Sequence, residues 1–235
     1  MDRAHEQPPL PAGDFSNWLL QARNALLGDS GMEVACGDCI GCCSSSYFIH
    51  IQPQETQAIG LIRKELLFPA PGMPKDHLLM GYDRHGLCPM LDKGSCTIYA
   101  HRPQTCRNYD CRIFSAAGIA AGDAKKSIIN QRVARWSFSY PSTLDRQQHL
   151  AVQAAAKFIR DHADSFPDGR VPDNPSQLAI LALKVYEVFL TRDGVVTPAG
   201  DSAANLAIAQ AIVAASRAFD AQMPALIRAP NRQTS

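Results

Sequence analysis

Most of this sequence contains no cysteine, aromatic residues are few, and the positive and negative charges nearly cancel. All eight cysteines fall between Cys36 and Cys111, and the rest of the 235 residues contains none. Aromatic residues make up 7% of the chain, and 23 basic residues against 22 acidic ones leave a formal net charge of +1. A balance this even gives little long-range attraction for polyanions, so we do not expect nucleic acid or an anionic membrane among the partners.

Long apolar runs are also missing. The longest ones, Leu178–Leu190 and Leu206–Ala215, are too short for a bilayer and are interrupted by polar residues, so no membrane-spanning helix is expected. The first residues, Met1–Pro11, carry acidic residues and prolines where an export signal would need a basic start and an apolar run. We therefore expect a cytoplasmic chain. With 46% hydrophobic residues it is able to bury a sizeable core.

The confinement of the cysteines to one segment indicates a local use for their thiols. Four disulfides are disfavoured, because no export signal precedes the segment and a chain of this length does not need such staples. Single buried cysteines pack as small hydrophobes, but here Gly, Asp and Ser stand between them. Ligation of a metal ion or a cluster is the better explanation for the whole set.

Outside the cysteines, the sequence predicts a mainly α-helical protein with little strand. Asp14–Leu27 has apolar residues at helical spacing, with Asp14 placed to cap the helix and Gly28 to end it. Tyr47–Ile51 is a β-prone segment. Beyond it, apolar residues recur at helical spacing from Pro53 to Leu66, so a helix is expected between the two groups of cysteines.

After Cys111 the composition becomes alanine-rich, which indicates a boundary near Ser115. Four further segments fit helices: Asp123–Trp136, Leu144–His162, Pro175–Leu190 and Asp201–Phe219. We therefore predict an irregular cysteine-rich metal-binding module with short helices, followed by a C-terminal helical bundle or hairpin. The expected organisation is an N-terminal helix and leader (1–31), the module (32–115) and a helical C-terminal region (116–235).

The cysteines form two groups of four. The first reads Cys36-Gly-Asp-Cys39-Ile-Gly-Cys42-Cys43, and the second is made of the more widely spaced Cys88, Cys96, Cys106 and Cys111. Thiols separated by two residues can curl around one centre, and glycines between them allow the tight backbone that this requires. The same CxxCxxC run holds [4Fe-4S] clusters in bacterial ferredoxins, whereas zinc sites more often show two separated CxxC pairs. The spacing therefore favours iron and sulfur over zinc.

The number of centres stays open at this point. Cys42 and Cys43 are neighbours, and adjacent side chains of an extended chain rarely face one metal, so one of the two thiols could serve a second centre. Eight thiols permit one four-ligand cluster with spare thiols, or two four-ligand sites. Imidazole can also replace a thiolate. The histidines near the cysteines are His50, His77, His85 and His101.

The order of these motifs resembles the CxxCxxCC, or YkgJ-type, cysteine-cluster family. The resemblance covers Ala35–Arg112 and rests on the first cysteine group and the following segments, as they stand in this sequence: Cys88-Pro-Met-Leu-Asp92, Gly94-Ser-Cys-Thr-Ile-Tyr99, Arg102-Pro103, Cys106-Arg107 and Tyr109-Asp-Cys111. It implies a zinc- or iron-chelating domain. Within these motifs, Arg102 and Arg107 are expected beside the site, where they would offset thiolate charge and donate hydrogen bonds.

Three hypotheses follow. The first is a metal-binding protein that holds an iron–sulfur cluster of the [4Fe-4S] type through Cys36, Cys39, Cys42 and at least one cysteine of the second group. The cluster would serve redox, sensing or cofactor-dependent chemistry, and the helical tail would dock a protein partner. The second is a structural Zn²⁺ module that serves as a scaffold or binds a partner. The third is a methyltransferase-like enzyme, because the cysteine module is also similar to part of the flagellin lysine N-methylases. The C-terminal third, however, contains no glycine-rich nucleotide loop, and catalytic residues are not assigned.

Overall fold

The structure, a computed structural model, describes residues 8–28, 31–32, 34, 36–191, 194–195 and 202–222. The predicted fold class is confirmed, since the chain is mainly α-helical with short strands. The helices are α1 (Phe15–Leu27), α2 (Thr56–Leu61), α3 (Gln104–Asn108), α4 (Arg112–Ala117), α5 (Ser127–Arg135), α6 (Thr143–Asp161), α7 (Pro175–Val185) and α8 (Ser202–Ala221). The strands are β1 (Leu10–Asp14), β2 (Ile49–Ile51), β3 (Leu67–Pro69), β4 (Leu78–Met80), β5 (Leu91–Asp92), β6 (Ser95–Cys96), β7 (Trp136–Ser139), β8 (Leu190–Thr191) and β9 (Gly194–Val195). None of these helices combines the length and apolar character needed to cross a bilayer.

The chain divides into two compact units that alternate along the sequence. The helical unit contains the described residues of Met1–Ser30, Cys111–Gly122 and Val133–Ser235. The cysteine unit contains those of Gly31–Asp110 and Asp123–Arg132. Seven of the eight cysteines therefore belong to the cysteine unit, and Cys111 belongs to the helical unit.

The helical unit is organised around α6, which packs against α1, α4 and α7. Its buried face combines small and large side chains, among them Ala151, Ala155 and Phe158, each at most 1% exposed. Small residues let helix backbones approach closely, while the phenylalanine fills the remaining space. The helix begins at a capping box, in which Ser142 and Asp145 each accept a hydrogen bond from the other's backbone N–H.

A parallel two-stranded ladder pairs β1 with β7, so residues near the start of the chain meet residues of its middle. Asp14, expected to cap α1, makes no cap hydrogen bond and instead accepts from Ser139 Oγ at 2.6 Å. The cap is supplied from α6, because Asp145 Oδ1 accepts from the backbone N–H of Ser16 at 2.8 Å. The stop at Gly28 is confirmed, since this residue adopts the left-handed conformation.

The cysteine unit contains a three-stranded antiparallel sheet in the order β2–β4–β3 and a hairpin of β5 and β6. One face of the sheet packs on a small core made of Ile51, Ile62, Met80, Met90 and Ile98. Cys88 and Cys96 lie against this core. The unit therefore contains short regular elements around a small apolar centre.

Several elements differ in extent from their sequence patterns. The helix expected from Pro53 to Leu66 is limited to α2 and a 3-10 turn at Lys64–Leu66, because Ile62 adopts an extended conformation between them. Trp136, expected to end a helix, instead begins β7. The helices expected at Leu144–His162 and Pro175–Leu190 are confirmed as α6 and as α7 followed by a 3-10 turn. The predicted start of the last helix, Asp201, lies outside the described residues.

Candidate metal centre

The first cysteine group is a series of tight turns. The backbone N–H of Cys39 donates to the carbonyl of Cys36 at 2.9 Å, and Gly37 between them has a φ of 55°, a conformation that favours glycine. A side chain at Gly41 would lie 3.0 Å from Ile129 Cγ1 and 3.5 Å from Cys39 Sγ. Both glycines of the CxxCxxC run are therefore needed for the backbone to fold closely around the sulfur atoms.

Cys42 and Cys43 lie in a 3-10 turn, Cys42–Ser44, rather than in an extended chain. Neighbouring side chains can approach each other in such a turn, and the Cys42 thiol forms a hydrogen bond with Cys43. This bond, burial and the charge of Cys43 together raise the pKa of Cys42 far above its ordinary value. Ser44 Oγ and Ser45 Oγ donate to the carbonyls of Ile40 and Gly41, which fixes the turn from its other side.

The second group is brought to the first by backbone pairing. The N–H of Cys88 donates to the carbonyl of Cys43 at 2.7 Å, which joins the two groups directly. The β5–β6 hairpin then places Cys96 opposite Leu91, three residues beyond Cys88. Cys106 follows on α3, where its N–H donates to the carbonyl of Pro103. All these segments belong to the cysteine unit.

The thiols of the cysteine unit influence one another electrostatically. Burial raises the pKa of Cys106 to about 12, and the charges of Cys42, Cys88 and Cys96 contribute in that order. The pKa of Cys88 is raised first by burial and then by Cys96 and Cys42. Likewise, burial and then Cys42 and Cys39 raise the pKa of Cys36. Electrostatic interactions therefore link Cys42, directly or through a neighbouring thiol, to thiols of both cysteine groups. These thiols are Cys36, Cys39, Cys88, Cys96 and Cys106.

All eight cysteines are free thiols. Among the residues that the structure describes, no three His, Cys, Asp or Glu side chains stand close enough to hold a metal ion. The donor set still fits one, because thiolates are the ligands of zinc and of iron–sulfur clusters. Thiolates that penalise one another's charge are stabilised when a metal cation takes the place of their protons.

Two arginines carry positive charge to these thiols. Arg102 lies over the ring of Tyr99 at 4.1 Å, and its charge lowers the pKa of Cys36 and Cys106 against the larger raising effects. Arg132 Nη2 donates to the carbonyl of Cys36 at 3.2 Å, and its charge also lowers the pKa of that thiol. Sequence reasoning missed Arg132. The available signal was its position three residues after Ile129, which places both on one face of α5.

Arg107, the other arginine expected beside the site, has different neighbours. Its Nε donates to Gln104 Oε1 at 3.1 Å, and its Nη2 lies 3.9 Å from Glu55 Oε1. Glu55 also accepts hydrogen bonds from the backbone N–H groups of Gln52 and Gln104. The observed contacts of Arg107 therefore tie α3, and with it Cys106, to the chain around Glu55.

The four histidines near the cysteines have separate surroundings. His50 Nε2 and His77 Nδ1 lie 2.8 Å apart, and burial followed by the charge of His77 lowers the pKa of His50. His85 Nε2 accepts from Arg84 Nε at 3.0 Å. His101 ends a 3-10 turn and is exposed.

Cys111 lies at the start of α4 in the helical unit. Its Sγ accepts a hydrogen bond from Trp136 Nε1 at 3.2 Å. The next residue, Arg112, donates to the carbonyl of Ala12 at 3.1 Å. These contacts anchor the end of the cysteine segment within the helical unit.

The clustered thiols and the short elements that carry them are typical of cysteine-rich metal-chelating domains. Residues 35–131 match the model of the CxxCxxCC family, described as a "Putative zinc- or iron-chelating domain". No curated protein and no solved structure matches the chain. Both the family match and the cysteine unit extend past Ser115, and they end one residue apart, at 131 and 132.

The last part of the match corresponds to residues that return to the cysteine unit. Lys126 Nζ donates to the carbonyl of Ser45 and lies 3.7 Å from the centre of the Tyr47 ring. Ile129 packs on Gly41. The segment from Asp123 to Arg132 therefore covers the first cysteine group, although it contains no cysteine itself.

Proposed function

We propose that this is a cytoplasmic protein whose cysteine unit holds an iron–sulfur cluster, of the [4Fe-4S] type, for a redox, sensing or cofactor-dependent role. The candidate ligands are Cys36, Cys39, Cys42, Cys43, Cys88, Cys96, Cys106 and Cys111. Arg102 and Arg107 are the proposed supporting residues. The helical unit is the proposed docking element for a protein partner. A reducing compartment is consistent with eight free thiols.

One observation carries the proposal: the backbone N–H of Cys88 donates to the carbonyl of Cys43 at 2.7 Å, which brings the second cysteine group to the first, where Cys42, Cys88, Cys96 and Cys106 affect one another's pKa. The other three charges all raise the pKa of Cys106, and two of them raise that of Cys88. Such a set is unfavourable as four free thiolates and favourable around a cation. We therefore propose that the cluster takes Cys36, Cys39 and Cys42 together with at least one cysteine of the second group, for which Cys106 is the best candidate.

The CxxCxxC run supplies the preference for a cluster over a single ion. Cys36 interacts electrostatically with Cys42 and Cys39, and the turns at Gly37 and Gly41 bring the backbone close to the sulfur atoms. Backbone N–H groups around a cluster stabilise its sulfur atoms and tune its potential. The N–H of Gly41, which donates to Cys39 Sγ at 3.5 Å, is one such group.

A structural zinc module is the second candidate, and the small core of the cysteine unit favours it. Its strands contain two or three residues each, and its buried centre is the five-residue cluster around Ile51 and Met80. Elements this short gain little from local propensity and need another source of stability. Zinc held by four thiolates supplies such stability in small domains.

The test is purification without oxygen, followed by an optical spectrum and elemental analysis for iron, zinc and acid-labile sulfide. Brown protein with iron matched by sulfide is the expected result. Colourless protein with stoichiometric zinc would contradict the cluster and support the scaffold. Protein with neither metal would contradict both. Anaerobic calorimetry with S-adenosylmethionine then tests the methyltransferase-like alternative, which requires binding.

The ligand assignment predicts that Cys106→Ser removes most of the metal. The serine hydroxyl is a poor replacement for a thiolate, so the coordination shell opens and the unit loses stability with its metal. Elemental analysis of the purified variant measures the loss. Ser95→Ala is the matched control, since Ser95 is exposed in the hairpin next to Cys96 and its hydroxyl bonds the carbonyl of Asp92. Wild-type metal content in Cys106→Ser would contradict the assignment.

Cys111→Ser distinguishes one centre from two. A single centre made of Cys36, Cys39, Cys42 and Cys106 leaves metal content unchanged in this variant, and the serine oxygen can still accept from Trp136 Nε1. Two centres that share all eight thiols require Cys111, and they predict loss of half of the metal. Elemental analysis of the purified variant distinguishes one centre from two.

A further inference from the structure

We propose that His50 and His77 form a second metal site, distinct from the thiolates, which binds a borderline divalent cation such as Zn²⁺ or Ni²⁺ through two imidazole nitrogens. The cation takes the place of the hydrogen between the two rings, which moves to the other nitrogen of its own ring, so that both imidazoles bind as neutral ligands. The chemistry of this site is nitrogen and water ligation, whereas that of the proposed cluster is sulfur ligation.

The two rings meet edge to edge. His50 Nε2 and His77 Nδ1 are 2.8 Å apart, and the ring planes differ by 6°. Because the planes are nearly parallel and two of their nitrogens are 2.8 Å apart, the planes themselves are no farther apart than 2.8 Å. Aromatic rings that stack face to face cannot approach so closely. With ring centroids 5.0 Å apart, the rings are offset and meet at their edges, so that one nitrogen donates a hydrogen bond to the other.

A small movement makes room for a metal ion. Zinc–imidazole bonds of about 2.0–2.1 Å at a tetrahedral angle require the two nitrogens to be about 3.3 Å apart. The present separation is 2.8 Å. Binding therefore requires the two side chains to rotate slightly apart, so that each nitrogen turns from its partner towards the ion. Both histidines are half-exposed, so a cation can enter and water can complete its coordination.

The sheet holds both residues in place. His50 is the central residue of β2 and is paired with Leu79 of β4, while His77 directly precedes β4. Cross-strand diagonal neighbours of this kind share one face of a sheet. The carbonyl of His77 accepts from the N–H of Ala70 at 2.9 Å, and Thr105 Oγ1 donates to the carbonyl of His50 at 2.7 Å.

A fixed carboxylate complements the charge of a cation here. Glu55 acts electrostatically on His50, and its two oxygens are held by the backbone N–H groups of Gln52 and Gln104. The two backbone donors fix the orientation of the carboxylate, and Arg107 Nη2, 3.9 Å from Glu55 Oε1, offsets part of its charge. The negative charge of Glu55 stabilises a cation between the imidazoles, whereas it has little effect on an uncharged, hydrogen-bonded pair of rings.

Titration with Ni²⁺ tests the site, on protein purified without oxygen and with its own metal in place. We expect one further Ni²⁺ per chain, with binding at least about tenfold weaker in both His50→Gln and His77→Gln, because loss of even a supporting residue weakens metal binding by about 10–100-fold. His85→Gln is the matched control and should bind Ni²⁺ as the wild type does. An unchanged Ni²⁺ affinity in the two test variants, or no uptake by the wild type, would overturn the proposal.

The spectrum of the bound Ni²⁺ separates this site from the thiolates. Nitrogen ligation gives weak visible bands, whereas sulfur ligation adds intense near-ultraviolet charge-transfer bands. Intense bands on titration would place the ion on the thiols and overturn the proposal. Iron, zinc and sulfide in His50→Gln should match the wild type, which shows that the variant is folded. Failure of the cluster proposal appears in that elemental analysis alone, and failure of the imidazole site appears in the Ni²⁺ titration alone.

Discussion

The helical unit and the cysteine unit reach order by different physical means. In the helical unit, α6 contains 19 residues, and Ala151, Val152, Ala155 and Ala156 on its buried face are fully inaccessible to solvent. In the cysteine unit, the helices contain five or six residues, apart from the start of α5, and the strands two or three. Long amphipathic helices are stabilised by burial of one face, whereas elements of one turn are not.

This difference shows why the cysteines are confined to one part of the sequence. Apolar packing is enough where helices are long, and no cysteine lies beyond the start of α4. Where glycine turns and short strands predominate, the proposed metal centre would supply the stability that burial does not. Removal of metal should therefore affect one unit, and removal of buried carbon atoms should affect the other.

The largest expected effect is that of metal removal. A chelator under reducing conditions should unfold the cysteine unit, because structural zinc contributes on the order of 10 kcal/mol to the folding of small domains. Both tryptophans of the chain, Trp18 and Trp136, lie in the helical unit. We expect amide hydrogen exchange to become fast in the cysteine unit while the tryptophan fluorescence maximum stays at its wild-type wavelength.

Restoration of slow exchange by added metal is the control for that experiment. A loss of tryptophan signal in parallel with metal would contradict the comparison, because it would show that the helical unit also depends on the metal. Amide exchange that stays slow in the cysteine unit after metal removal would also contradict the comparison, because it would show that this unit is stable without metal.

Next in size is a cavity in the helical core. Phe158 is 1% exposed and contacts the rings of Phe166 and Phe189. Phe158→Ala should lower the free energy of unfolding of the helical unit by about 3–5 kcal/mol, measured by chemical denaturation with tryptophan fluorescence. Leu150→Ala on the exposed face of the same helix is the control, with an expected change within about 0.5 kcal/mol. Metal content should match the wild type in both variants, and a loss in Phe158→Ala alone would show that the two units are coupled.

The smallest effect concerns the Asp145 cap. Hydrogen bonds from the Ser142 hydroxyl and, less strongly, from the Ser16 N–H hold the pKa of this carboxyl well below its ordinary value, against the effect of burial. A lowered folded-state pKa stabilises the protein above the unfolded value, and this contribution disappears as the pH falls through the folded value. Asp145→Asn should therefore cost about 1–2 kcal/mol at neutral pH, and the cost should shrink below about pH 4.

Asp161 at the other end of the same helix is the control for Asp145. Lys157 and Arg160 lower the pKa of Asp161 to about 2, but the carboxyl pairs with exposed side chains at the helix C-terminus. Asp161→Asn should change the free energy of unfolding by less than about 0.5 kcal/mol at neutral pH. Equal costs for the two variants would show that capping is not the origin of the Asp145 effect.

The sequence was sufficient to predict the long helices, because their apolar periodicity is local. Asn174, for example, is followed by Pro175 and caps α7 through the N–H groups of Ser176 and Gln177, as expected of that pair. The β1–β7 ladder could not be predicted in this way. Its partners lie far apart in the sequence, and the pairing depends on tertiary packing that no local pattern reports.

Prediction of the candidate site shows the same limit. The cysteines and Arg102 stand out by spacing. In the structure, Arg102 acts electrostatically on Cys36 and Cys106, and seven of the cysteines lie in the cysteine unit, whereas Cys111 lies in the helical unit. Arg132 and Lys126 reach the first cysteine group from a segment without any motif residue. Their role depends on how the chain returns, which spacing does not encode. The edge-to-edge contact of His50 with His77 likewise follows from strand register rather than from sequence distance.

The β1–β7 ladder also determines the order in which the protein can be completed during synthesis. Asp14 and its partner Ser139 are 125 residues apart, and the cysteine unit lies between them in the chain. The ribosome must therefore finish the whole cysteine unit before the helical unit can close, and long-range pairing of this kind is slow in any case. All eight thiols emerge before β7, so the proposed metal centre can form while the helical unit is still open.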